Sequence, residues 1–341
     1  MLLNNYINLL SFFFRFWNYI IEYFYVFAYK IQYMSRILCI CLSTTIQRSV
    51  TFESISLSKV NRSKYYTQYA SGKAINSARV LNQLEKGCSL SICPAGEKNL
   101  DLFLNLAAND DLEVQTVTIP GFTRECWTLL DSKNGSTTEL VVGEPVEING
   151  TPLEVDSQEI KILKLIYEAF PVVDAVLLAG SRPGIWHEDL YATIGGMAKD
   201  KGKLFLADYI GADMEKTLKS VTPDIIKIND EEFVKTFLPG SEFEKISETE
   251  LKNQITKISK ELNNIIVVTR GIKSTFAANC GAFAECPTEK VKAVNTTACG
   301  DSFNAGFIYE YLKSKNFEQA LKKGTWCAAR NAESEAPGSI I

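Results

Sequence analysis

From Arg36 onward the chain alternates short, β-branched apolar runs with amphipathic stretches, and this rhythm restricts its possible folds more than any other feature. Ile37–Leu42, Ser89–Cys93, Ala175–Leu178, Leu204–Ala207, Ile225–Lys227 and Ile265–Thr269 are short and largely apolar, the pattern of strands buried from both sides. Gly72–Glu85, Ser157–Ala169, Glu188–Lys199 and Glu248–Leu262 carry helical periodicity between many of them. Strand, helix and strand in succession require right-handed crossovers, which cover a parallel sheet with helices on both faces. The expected class is α/β: a three-layer α/β/α sandwich on a mainly parallel sheet. Ligands of such sheets bind beyond the carboxyl ends of the strands, so residues just after each apolar run are the ones to inspect.

Two regions break the rhythm. Residues 47–70 and 121–143 are rich in Thr, Ser, Tyr and Val without helical period, as extended hairpins are. The first 33 residues also differ. Leu9 to Tyr29 is mostly Phe, Tyr, Trp, Ile and Leu, long enough to cross a bilayer. Arg15 and Glu22 interrupt it, however, and charges in mid-span are costly. A basic leader region and a small-residue cleavage site are missing, so a secretory signal fits poorly. We expect residues 1–33 to be a hydrophobic aromatic leader outside the fold and not a membrane anchor, Met34 to be the functional start, and 34–341 to be the domain.

About 300 residues suit one large α/β domain with a modest insertion. The net charge is −4 with signs interspersed, and no Lys or Arg block marks a nucleic-acid footprint, so the expected partner is a small molecule. Nine cysteines without a C-x-x-C pair fit reduced thiols in a cytoplasmic protein. The single histidine, His187, excludes multi-histidine metal sites and argues against a Ser-His-Asp triad. It reads as an ordinary polar residue at a helix start.

The chemistry concentrates in Asn295-Thr296-Thr297-Ala298-Cys299-Gly300-Asp301, which opens into the helical pattern Ser302 to Ile308. Small residues let N–H groups converge at a helix N-terminus, where the dipole favours an anion. Ala298 can offer its N–H provided φ stays negative. Asp301 stands beside that anion site as an acceptor, placed to take a proton from an attacking hydroxyl. The alternative is a capping Asp before a core helix carrying Phe303, Phe307 and Tyr311 at four-residue spacing.

Other segments fall around this one in a familiar order. The run at 295–303 is similar to the D-T-x-G-A-G-D-S-F signature of the ribokinase/PfkB carbohydrate kinases, with Asn295 for the first Asp and Ala298 for the first Gly. Ser71-Gly72-Lys73-Ala74-Ile75-Asn76 resembles the G-G-K-G-x-N segment at the sugar site, and Gly180-Ser181-Arg182-Pro183 the G-S-L-P turn. Asn229-Asp230-Glu231-Glu232 resembles N-x-x-E, Thr269-Arg270-Gly271 the nucleotide-side turn, and Trp326 to Asn331 with Gly338 the adenine side. Gly121-Phe122-Thr123-Arg124 with Thr138-Glu139 resembles the branch containing 1-phosphofructokinase and tagatose-6-phosphate kinase.

The resemblance implies a ribokinase-like fold with a small β-sheet lid over the sugar, near 47–70 and 121–143. It implies an ATP- and Mg2+-dependent kinase for a sugar hydroxyl, with Asp301 as base and the N–H groups of Ala298, Cys299 and Gly300 on the transferred phosphate. Gln47, Gly72, Lys73, Asn76, Arg124 and Ser181 would bind the acceptor, most closely a ketohexose monophosphate. Asn229, Thr269, Gly271, Asn331 and Gly338 would bind nucleotide, and Glu232 with Asn229 would hold Mg2+ through water. Lid sheets in this family sometimes pair across dimers, so the resemblance allows a homodimer through the lid. For several of these residues a structural reading stands beside the functional one: Arg124 as a solvated strand residue, Asn229 and Glu232 as a capping box. Departures cluster on the sugar side, where Gln47, Cys126, Ser71 and Ala74 differ from the pattern. A kinase for a free sugar or nucleoside, and a member that binds without turnover, are the rival readings.

Overall fold

The computed structural model describes residues 35–341 apart from 65, 145–146, 149–150 and 153; the expectations for residues 1–33 and for Met34 as start lie outside the described residues. The strands are β1 (Ile37–Ile40), β2 (Thr45–Phe52), β3 (Tyr66–Ser71), β4 (Ser89–Gly96), β5 (Val114–Ile119), β6 (Arg124–Asp131), β7 (Ser136–Val142), β8 (Glu147–Ile148), β9 (Thr151–Pro152), β10 (Ala175–Ala179), β11 (Leu204–Asp208), β12 (Ile225–Asn229), β13 (Ile265–Thr269), β14 (Thr275–Asn279) and β15 (Ala282–Cys286). The helices are α1 (Lys73–Leu84), α2 (Leu100–Asn109), α3 (Asp156–Ala169), α4 (Leu190–Asp200), α5 (Ala212–Ser220), α6 (Asp230–Phe237), α7 (Glu248–Leu262), α8 (Cys299–Ser314) and α9 (Phe317–Glu333).

Each apolar run singled out in the sequence is a strand of one nine-stranded sheet, ordered β15-β14-β13-β12-β11-β10-β1-β4-β5. Its strands run parallel from β13 to β5, while β14 and β15 add an antiparallel edge. Because strand side chains alternate between faces, Leu38, Ile40, Val176, Leu178, Ile226, Ile228, Ile266 and Val268 share one core with residues of α3 to α7. The opposite face meets α1, which packs on β1, β4, β10 and α8, and α8 packs in turn on α9. Charged residues that end up buried in the sheet, Asp208 and Lys227, have the parity of this second face.

Chain order decides where a ligand can sit. From β1 the sheet grows outward through β4 and β5 on one side, and through β10 to β13 on the other. The crevice at such a reversal opens at the carboxyl ends of β1 and β10. There the chain leaves β1 at Cys41 and builds a separate four-stranded sheet, ordered β3-β2-β6-β7, from the two anticipated hairpin regions. The hairpins join through a parallel ladder between β2 and β6, running from Thr45↔Arg124 to Phe52↔Asp131. β7 is exposed along its whole length. β8 and β9 form a short separate ladder. No described helix is long and apolar enough to cross a membrane, and all nine cysteines are unpaired.

Candidate active site

Asp208 anchors the crevice. It ends β11 in register with Ala179 and is 1% exposed, so its charge has to be met inside the protein. Lys73 Nζ lies 3.0 Å from its Oδ1, Lys227 Nζ lies 3.0 Å from its Oδ2, and Asn304 Nδ2 donates to Oδ2 at 2.6 Å. Burial alone would raise its pKa, but the two ammonium charges and these hydrogen bonds hold the carboxyl well below the usual carboxylate range. Lys73 is raised in return, chiefly by the charge of Asp208, with Asp301 and Glu232 adding to it. Lys73, Asp208, Lys227, Asp301 and Glu232 therefore form one electrostatic group drawn from α1, β11, β12, α8 and α6.

Lys227 interrupts an otherwise apolar strand and directs its ammonium at the start of α8. A Cβ placed on Gly300 would lie 2.8 Å from Lys227 Nζ; the missing side chain is what admits the cation there. Ala298 is the N-cap of α8 with φ 65° and ψ 12°, and no side chain caps the helix. The condition set for Ala298, a negative φ, is therefore not met: alanine occupies the left-handed conformation, which glycine takes without penalty. The Cys299 N–H turns to Thr296 O at 3.3 Å. Those of Ala298 and Gly300 find no acceptor among the described residues.

Asp301 is 6% exposed and does not serve as a cap. Its Oδ2 accepts from Asn76 Nδ2 at 2.9 Å and its backbone oxygen from Ser77 Oγ at 2.8 Å. Its Oδ1 makes no hydrogen bond among the described residues. Burial pushes its carboxyl up to about 6, opposed by Lys73, the Asn76 bond and Lys227 and assisted by Asp208. Such a group is ionised at neutral pH yet basic enough to accept a proton from an alcohol. A small cleft lined by Ser43, Thr44, Gly96, Thr123 and Arg124 opens beneath the lid.

The family model for pfkB family carbohydrate kinases matches residues 34–340. The chain belongs to this family. The fold is similar to that of phosphofructokinase-2 from Escherichia coli in complex with substrates and products (TM-score 0.77, 17% identity, 87% of this chain and 93% of that one). It is similar also to a possible 1-phosphofructokinase from Thermotoga maritima (TM-score 0.76, 18% identity, 88% and 93%) and to ribokinase from Thermotoga maritima (TM-score 0.65, 19% identity, 90% and 96%). At these identities the likeness establishes the ribokinase-like fold and no substrate.

Within this pfkB kinase, Gly72 caps α1 just before Lys73, and Asn76 lies one turn further on against Asp301. Ser181 is exposed and follows Gly180, whose missing Cβ would be 3.8 Å from Lys73 Cβ. Thr269 ends β13 beside Asn229 in register, and Gly271 makes the exposed turn that follows. Asn229 and Glu232 form a reciprocal capping box on α6: Glu232 N donates to Asn229 Oδ1 at 2.8 Å, and Asn229 N to Glu232 Oε2 at 2.9 Å. Glu232 Oε1 is left for another partner.

Other expected site residues are committed within the protein. Gln47 is buried in the lid and donates to Thr128 Oγ1. The Arg124 guanidinium bonds Thr45 Oγ1 at 2.9 Å, Ser43 O at 3.3 Å and Glu144 Oε2 at 2.6 Å. Asn331 is fully buried, and its Oδ1 accepts from Ser302 Oγ, Gly338 N and Ser339 N while its Nδ2 donates to Thr297 O. Gly338 is packed against Asn76, where a Cβ would come within 2.9 Å of Asn76 Cα. Asn331 and Gly338, expected on the nucleotide side, fasten the C-terminal loop to the α8 turn. Sequence reading passed over Asp208, Lys227 and Asn304. The available signal was a charge at the end of, or inside, an apolar run.

Proposed function

We propose that this kinase transfers the terminal phosphoryl group of ATP to a sugar hydroxyl with Asp301 as general base, and that the acceptor is a ketohexose monophosphate. The observation that carries the reading is the unpaired Oδ1 of Asp301 at the start of a helix whose Gly300 N–H is unshared and which the Lys227 ammonium approaches. A hydroxyl at Oδ1 loses its proton as it attacks. The Gly300 N–H and the two lysines then stabilise charge on the transferred phosphoryl oxygens, the dominant contribution in this type of reaction. Asn76 keeps the carboxylate turned toward the acceptor.

Among the described residues no cluster of three or more acidic, His or Cys side chains stands ready for a metal. One carboxylate plus water is nevertheless what Mg2+ takes alongside substrate phosphates. Glu232, through Oε1, and Asn229 fit that demand and would hold the ion through water. Bound there, Mg2+ would neutralise charge on the nucleotide phosphates.

Arg124 supports the phosphorylated acceptor. Its fork is fixed by Thr45 and Ser43 O, and the carboxylate of Glu144 occupies it much as a substrate phosphate would. The same pair favours a second reading, a free sugar or nucleoside as acceptor, because Glu144 already neutralises Arg124. A turnover panel of ketohexose monophosphates, free sugars and nucleosides with the purified chain separates them. Asp301→Asn should lower turnover by about 10²- to 10⁴-fold while nucleotide still binds. Undiminished turnover in that variant would sink Asp301 as base, and a parent that binds but never turns over would leave only a binding protein.

A further inference from the structure

Asn76 can hold Asp301 only if its amide points the right way, and an amide turned by 180° about its last torsion has nearly the same shape. In the structure Nδ2 faces Asp301, and Oδ1 accepts from Ser71 Oγ at 2.9 Å and from Arg79 Nη1 at 3.2 Å. Ser71 tolerates either orientation, since a hydroxyl both donates and accepts. Arg79 does not, because a guanidinium has no acceptor. It is 3% exposed, one turn after Asn76 on α1, and three more of its donors are bound by Asp110 Oδ2 at 2.8 Å, Pro337 O at 3.0 Å and Ala70 O.

We propose that Arg79 is a positioning residue: it locks the Asn76 amide with its donor toward Asp301 and so holds the carboxylate in its ionised, reactive orientation. The inference rests on Asp301 being the base. A flipped amide would set NH2 against the guanidinium and a carbonyl oxygen against the carboxylate, two repulsive contacts in place of two hydrogen bonds. The lock is also shared, since the same guanidinium grips the end of lid strand β3 through Ala70 and the C-terminal loop through Pro337. One residue thereby aligns the base with both walls of the site.

The signature is a change in the acid limb of the rate profile. The charged groups facing Asp301 are Lys73 from α1, Asp208 from β11, Lys227 from β12 and the Cys299 thiol on its own helix. None of them is altered by a change at Arg79. Arg79→Gln, which can donate or accept, should move the acid limb of kcat upward by about half a pH unit or more and lower kcat about tenfold, with KM for ATP little changed. Arg79→Lys, a donor only, should keep the limb near that of the parent even where it lowers Tm. In an Asn76→Ala background, Arg79→Gln should shift the limb no further, which separates the lock from a bare loss of charge.

Arg79→Gln with the parental limb and kcat, equal limb shifts in the Gln and Lys variants, or a full shift persisting in Asn76→Ala would each overturn the proposal. Should Arg79→Gln fail to fold, Ser71→Ala decides, because Arg79 alone should then hold the amide and the limb should stay. Movement of the limb in Ser71→Ala would count against the lock. Asp301→Asn run in parallel distinguishes the two levels: retained turnover there removes the base itself, whereas lost turnover with an unmoved Arg79→Gln limb removes only the positioning role.

Discussion

Ala298 stores strain where the chain turns into α8, with φ at 65°. Glycine there relieves a left-handed penalty of about 1–2 kcal/mol, less what it adds to the freedom of the unfolded chain. Ala298→Gly should therefore raise stability by up to about 1 kcal/mol, read as a higher denaturant midpoint. Asp301 makes a second residue-scale prediction. Its folded pKa of about 6 lies above the ordinary 3.8, so its contribution to stability is full below about 3.8 and is lost as pH rises through about 6. Asp301→Asn should accordingly be more stable than the parent above pH 6, by up to about 3 kcal/mol, with the difference vanishing near pH 4. Denaturant titrations at several pH values read this, and a gain that does not depend on pH would refute it. The place of Asp301 in the first turn of α8 was legible because an acid follows a run of small residues. Asp208 and Lys227 were not, since each looks like a strand-end residue until folding brings them 3.0 Å apart.

At the scale of elements, the lid holds its own counterion. Glu144, just beyond β7, is 38% exposed and pairs with Arg124, which is 17% exposed. Glu144→Gln should leave the fork free and lower KM for a phosphorylated acceptor about three- to tenfold, with KM for a free sugar unchanged. An equal fall for both acceptors, or for neither, would show that Glu144 does not compete for that site. The helices and central strands were readable because burial on two faces writes long apolar runs. β13 falls on Ile265–Thr269 as expected, while β1 stops at Ile40 because the chain must leave the sheet to enter the lid. Asn229 and Glu232 form the capping box that their spacing allowed. The bonding of Asn331 was not legible, because its partners Thr297, Ser302 and Gly338 lie on separate segments, which local sequence does not connect.

For the molecule as a whole, alternating strands and helices announced a parallel sheet but not its strand order. The reversal beside β1 depends on which crossover goes left and which goes right, and chain rhythm is silent on that. The two hairpins of the lid were likewise visible, whereas their union was not. β2 and β6 lie side by side in parallel, yet β4, α2 and β5 come between them in the chain. Closing that ladder therefore means closing a long loop through the central sheet, a slow, nonlocal step of the kind that raises contact order. A growing polypeptide that has not yet reached Arg124 carries Thr45–Phe52 with one flank unpaired, open to adhesion by other chains. The cover of the crevice is thus no detachable module: its central ladder encloses part of the platform within one loop of chain.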